Sequence, residues 1–118
     1  MKRPEQALHQ QVSRYLDVAL PKTATWFHPA NGGYRRKVEA KILKSMGVKA
    51  GVPDLVIIWE GRAYFIELKA GTGKLTEHQV EMMRCLTGAG AGWRCCTSLD
   101  GVIETLEGWG IPLKARAA

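Results

Sequence analysis

The chain has 118 residues, 46% of them hydrophobic, with 17 Lys and Arg against 11 Asp and Glu, for a net charge of +6. This length gives one domain, residues 1–118, with enough chain for a sizeable core. No apolar run approaches the roughly 20 residues that span a bilayer, the N-terminus lacks the apolar core of a signal peptide, and Cys85, Cys95 and Cys96 form no Cys-x-x-Cys pair, which argues against both a disulfide framework and a cysteine zinc site. The expectation is an intracellular, cytoplasmic protein in a reducing compartment, without membrane association, whose basic balance favours a polyanionic partner.

In chain order, residues 4–17 read as a helix, because Leu8, Val12, Tyr15 and Leu16 recur at helical spacing and Pro4 suits a first turn. Glu5 lies at its start and Pro21 beyond its end. Residues 23–28 are rich in strand formers, and Asn31-Gly32-Gly33 signals a turn. Residues 37–46 form a short predicted helix with Val38, Ile42, Leu43 and Met46 apolar and Gly47 as its stop. Two strands follow, 54–59 and 63–69. Thr76 with Gln79 fits a capping box, and Leu75 with Val80 a hydrophobic staple, opening a helix whose buried stripe is expected from Val80, Met83 and Leu86. Residues 93–97 form a strand candidate. Ser98 caps a last predicted helix over about 99–107, and the tail, 113–118, is expected to fray. The four tryptophans, at 26, 59, 93 and 109, are most simply core. The order αβαββαβα predicts an α/β fold with a mixed sheet of about four strands flanked by helices.

The most informative stretch runs from Gly51-Val-Pro-Asp54 to Glu67-Leu-Lys69. With Glu60 and Gly61 at the centre of an even-length hairpin loop, Asp54 falls opposite Glu67. Opposed residues project to one face with Cβ atoms about 4.5–5.5 Å apart. Lys69, two residues on, shares that face. A three-residue loop would place the two acids on opposite faces. Adjacent carboxylates repel unless a cation lies between them, and their hard oxygen donors suit Mg²⁺. The bland alternatives are an Asp in a Pro-Asp turn, a cross-strand ion pair at Glu67 and a solvated strand-end Lys69.

A basic segment precedes this hairpin. Arg35, Arg36, Lys37, Lys41, Lys44 and Lys49 stand against one acid, Glu39. Part of such a run is simply solvated surface, but phosphate contact is its plainest use beside a cation site. His9 and His78 have no pattern that assigns them a role.

These motifs together resemble the VRR-NUC (virus-type replication-repair nuclease) domains of the PD-(D/E)xK nuclease superfamily. The likeness runs through Glu5, the His28-Pro-Ala-Asn-Gly-Gly33 segment, Arg36, Met46 to Leu55, Glu67-Leu-Lys69, and Leu75 to Gln79. It implies a restriction-endonuclease-like core and Mg²⁺- or Mn²⁺-dependent DNA cleavage. Small standalone members, of a bacterial or phage setting, look like homodimers that cut branched DNA such as four-way (Holliday) junctions. By this resemblance Asp54, Glu67, Glu5 and the backbone carbonyl of Leu68 hold the metal. Lys69 orients or deprotonates the attacking water, and Gln79 is a further site residue. His28, Asn31 and Arg36 contact substrate or support the site. Glu5 and Gln79 also have purely structural explanations, the helix dipole and the capping box. The alternatives to a junction endonuclease are a nuclease on flaps, single strands or RNA, and a non-catalytic nucleic-acid binding module with the same fold.

Overall fold

The computed structural model describes residues 3–30 and 37–114. Asn31, Arg35 and Arg36, and the tail from residue 115, lie outside them. Its elements are α1 (Pro4–Ala19), β1 (Ala24–Phe27), α2 (Lys37–Ser45), β2 (Leu55–Trp59), β3 (Arg62–Leu68), α3 (Glu77–Gly88), β4 (Gly92–Cys96) and α4 (Leu99–Gly108). This is the αβαββαβα order expected from the sequence. The four strands lie in the order β1-β2-β3-β4. β1 pairs antiparallel with β2, and β2 with β3; β4 joins β3 in parallel, so α3 serves as the crossover.

The β2–β3 hairpin has the register that the sequence implies: Leu55 pairs with Ile66 and Trp59 with Arg62. Its two loop residues both have left-handed backbone, Glu60 with φ 49° and Gly61 with φ 75°. Such a turn matches the twist of its strands, which explains how a Glu is held in a conformation that Gly or Asn adopts more cheaply.

One face of the sheet carries the core. Leu55, Ile57, Tyr64, Ile66 and Leu68 from the hairpin meet Leu8, Val12, Tyr15 and Leu16 of α1 and Val102 and Leu106 of α4. The α1 stripe is thus buried as its periodicity requires. Fully burying one such aliphatic side chain stabilises the fold by about 1.5–3 kcal/mol. Trp26, Trp59 and Trp109 pack half-buried against this cluster, whereas Trp93 projects from the other face. Ser98 caps α4 by accepting the Gly101 N–H at 3.0 Å.

The opposite face is covered less completely, and here one expectation needs correction. Val80, Met83 and Leu86 are only half-buried, and α3 has no fully buried residue. α3 packs against β4, the strand at the edge of the sheet, so its apolar stripe is only partly covered. On α2, Leu43 is half-buried, while Val38 and Ile42 stay exposed, as does Met46 just past its end at 74%. A separate open groove between α2 and α3 is lined by Leu43, Val48 and Met82. Phe27 on this face is likewise half exposed. Among the described residues no helix is long and apolar enough to cross a membrane.

Candidate metal centre

The site lies where β2 begins and β3 ends. Gly51 approaches the first turn of α3 so closely that a Cβ there would overlap the His78 carbonyl, and its φ of +83° also calls for glycine. This contact sets the chain for Pro53, which is buried, and for Asp54. The Asp54 Oδ2 accepts the Leu68 N–H at 2.8 Å, locking the carboxylate across the hairpin. His28, beyond the end of β1, places Nδ1 at 2.6 Å from the Asp54 carbonyl oxygen. A carbonyl only accepts, so Nδ1 carries the proton.

Carboxylate oxygens of Glu5, Asp54 and Glu67 all lie within 4.8 Å of one another. Glu5 comes from the exposed first turn of α1, Asp54 is half-buried, and Glu67 is 3% exposed. Burial foremost, then the Asp54 charge and a hydrogen bond between the two carboxyls, raises the Glu67 pKa to about 8; Lys69 opposes the shift and Glu5 adds to it. Without a cation these acids crowd one another, and a proton takes the place a cation would fill. The donor set therefore fits a hard divalent ion: three carboxylates from three elements, with none of the thiol or imidazole donors a softer metal prefers.

Two further side chains close around Glu67. Lys69 Nζ stands 3.9 Å from Glu67 Oε2. Gln79 Nε2 donates to the same oxygen at 3.0 Å. The Gln79 carbonyl oxygen meanwhile accepts the Thr76 N–H at 2.9 Å, and Thr76 Oγ1 accepts the Gln79 N–H at 3.2 Å. The capping box and the site contact are therefore not rival explanations of Gln79. One amide group serves both, oxygen to the cap and nitrogen to the acid. Leu68 reaches the site through its N–H.

The basic residues are arranged by α2. Lys37, Lys41 and Lys44, at i, i+4 and i+7, share one exposed flank of that helix. Lys44 and Lys49 border the groove between α2 and α3.

Sequence reasoning missed His9. Its ring meets that of His28 edge-on, with centroids 4.5 Å apart and planes at 82°. Burial foremost, and then His28, lowers the His9 pKa, while Asp54 and Glu5 pull it upward. The available signal was its position four residues after Glu5, one turn along the same helix face. His78 was also unassigned; it lines the cleft beside Asp54 and Gln79. Cys95 pairs with Glu67 in register, and burial foremost, then the Glu67 charge, pushes its thiol up.

Comparison with known proteins agrees with this architecture. One solved structure, titled "VRR_NUC domain protein", superposes with a TM-score of 0.73 at 25% identity, covering 92% of this chain and 89% of that one. A second, titled "VRR_NUC domain", gives 0.60 at 19% identity over 90% and 97%, a likeness of fold. No curated protein matches the chain. The profile of the VRR-NUC domain matches residues 4–100, and the chain belongs to that family of nuclease-type domains.

Proposed function

We propose that this protein is a divalent-metal-dependent endonuclease that hydrolyses phosphodiester bonds in branched DNA, four-way junctions foremost, as a homodimer. The observation that carries the reading is the convergence of Glu5, Asp54 and Glu67 on one point with Lys69 beside them. These three acids would hold Mg²⁺ or Mn²⁺, with the Leu68 carbonyl as the further ligand the family likeness suggests. A cation held there offsets phosphate charge and acidifies nearby water.

The chain's own groups do the rest. Gln79 and the Leu68 N–H fix the orientations of Glu67 and Asp54. Lys69 orients the water for in-line attack and spreads the negative charge that develops on the phosphoryl oxygens. Lys37, Lys41 and Lys44, with Lys49, Arg35 and Arg36, hold the backbone, and the family likeness gives His28 and Asn31 a part in contacting substrate or supporting the site. Phosphate contacts of this kind position DNA by shape rather than sequence, which suits a branch point. A four-way junction has twofold symmetry, so two copies would present two such centres to paired strands. The uncovered Val38 and Ile42 on α2, with Met46 just past its end, leave apolar surface for a second copy.

The test is cleavage of labelled four-way junction, flap, duplex and single-stranded DNA in Mg²⁺, Mn²⁺ or EDTA. Junction cutting that requires the metal, and that falls by about 10²-fold or more in Asp54→Ala and Lys69→Ala, is expected. Preference for flaps or single strands would replace the junction assignment. Binding without cleavage under every condition would leave only a nucleic-acid binding module. Elution as a monomer at working concentration would remove the paired-cut model.

A further inference from the structure

The metal-site acids stand where two clefts meet. On the α3 side is a cleft of about 260 Å³ walled by Pro53, His78 and Gln79. On the α1 side a more open cleft of about 910 Å³ is bordered by Arg3, Gln6, His9 and Gln10. His28 and Asp54 line both. A polynucleotide strand with its scissile phosphate at the acids must leave in two directions, and these clefts are two such exits. In the α1 arm only Glu5 and the shared His28 and Asp54 have a role so far.

Among the donors of that arm, His9 and Gln10 are both half-buried, and His9 is in addition braced by a ring of the site. Arg3 and Gln6 are exposed at the start of α1, whereas His9 is half-buried and braced edge-on by His28. His28 in turn is held by the carbonyl of Asp54. The His9 ring is thus tied, through one intervening ring, to the strand entrance that presents a metal-site acid. It lies four residues beyond Glu5, about 6 Å along the helix axis, a distance comparable to the step between successive phosphates of a strand. An imidazole offers at least one ring N–H whatever its charge.

We propose that His9 is a substrate-positioning residue whose ring N–H donates to the phosphate next to the scissile one, on the α1 side of the metal centre, with His28 fixing the plane of its ring. This rests on the nuclease reading and extends it, giving the strand a defined path through the site.

His9→Phe keeps the ring contact with His28 and removes the donor, His9→Ala removes both, and His9→Gln restores an N–H. For the substrate found above, His9→Phe and His9→Ala are expected to raise KM about tenfold with kcat within about threefold of wild type, and His9→Gln to recover most of the loss. Mn²⁺ affinity and the Tm of His9→Phe should stay at wild-type values. Fluorescence anisotropy with the same DNA in Ca²⁺ should give the same order without turnover. Methylphosphonates placed singly around the cut should weaken wild-type binding at one neighbouring position where His9→Phe loses nothing more. Wild-type KM and affinity in His9→Phe would overturn the proposal. So would a loss confined to kcat, or methylphosphonate effects that add to His9→Phe at every position. If the wild type cleaves no DNA, the nuclease reading falls and the anisotropy series alone decides whether His9 contacts a phosphate.

Discussion

Titrating the metal-free protein from about pH 5 to about pH 9 perturbs Glu67 above all. In an unfolded chain this carboxyl ionises near 4.5, and in the fold near 8, through burial and the neighbouring Asp54. Below 4.5 it is protonated in both states and its contribution to stability is fully present. Between the two values the unfolded chain releases the proton while the fold retains it, so stability falls as pH rises; above about 8 the loss is complete. At about 1.4 kcal/mol per pH unit the interval corresponds to about 5 kcal/mol at most. Relaxation of the two carboxyls away from each other reduces this, and a loss of about 3 kcal/mol is expected. The assay is urea unfolding after EDTA treatment and dialysis, at steps across that range, for wild type and Glu67→Gln. The wild type should lose stability with rising pH, and Glu67→Gln should lose most of that slope. Mg²⁺ or Mn²⁺ should flatten the wild-type curve, because the cation displaces the proton, and should raise stability more at pH 8 than at pH 6. An equal slope in Glu67→Gln, or a wild type that gains stability toward pH 8, would refute the reasoning.

Three substitutions probe other parts of the frame. Gln79→Glu keeps an oxygen for the Thr76 N–H but sets a fourth carboxylate against Glu67 in place of a donor, and should cost about 1–3 kcal/mol at pH 8 without metal; wild-type stability in urea under those conditions would contradict this. Gly51→Ala meets both an unfavourable backbone conformation and the His78 carbonyl, so a loss above about 2 kcal/mol is expected in thermal melts, together with weakened Mn²⁺ binding by titration. Glu60→Asn relieves the left-handed backbone of the hairpin loop and should stabilise by about 0.5–1 kcal/mol, read as a higher Tm, with cleavage unchanged.

The hairpin was legible because period-two geometry turns loop length into register. Glu60-Gly61 as the loop centre sets Leu55 against Ile66, the observed pairing. Local signals such as the Thr76–Gln79 box and the Ser98 cap were legible for the same reason, since each is completed within four residues. What packing decides was not. Val80, Met83 and Leu86 have helical spacing, but spacing cannot say that α3 settles on the edge strand β4, where its stripe is only half-buried. His9 and His28 become neighbours only when α1 is laid on the sheet. The double use of Gln79 needed both the cap and the position of Glu67. Asn31, Arg35 and Arg36 lie outside the described residues and keep the standing that resemblance alone gives them.

The centre draws on α1, both strands of the hairpin and the first turn of α3, so its parts become available in sequence as the chain is made. A nascent chain that has just passed β3 already carries Glu5, Asp54, Glu67 and Lys69, but not the Gln79 amide that donates to Glu67. It also lacks β4, which flanks β3 on its open side. In such a fragment the hairpin can still set Asp54 beside Glu67, but nothing donates to the Glu67 carboxylate from the far side. A centre assembled this way cannot reach its full form before most of the chain has emerged. For a protein whose proposed substrate is DNA, the fold itself thus ties any cutting power to the finished molecule.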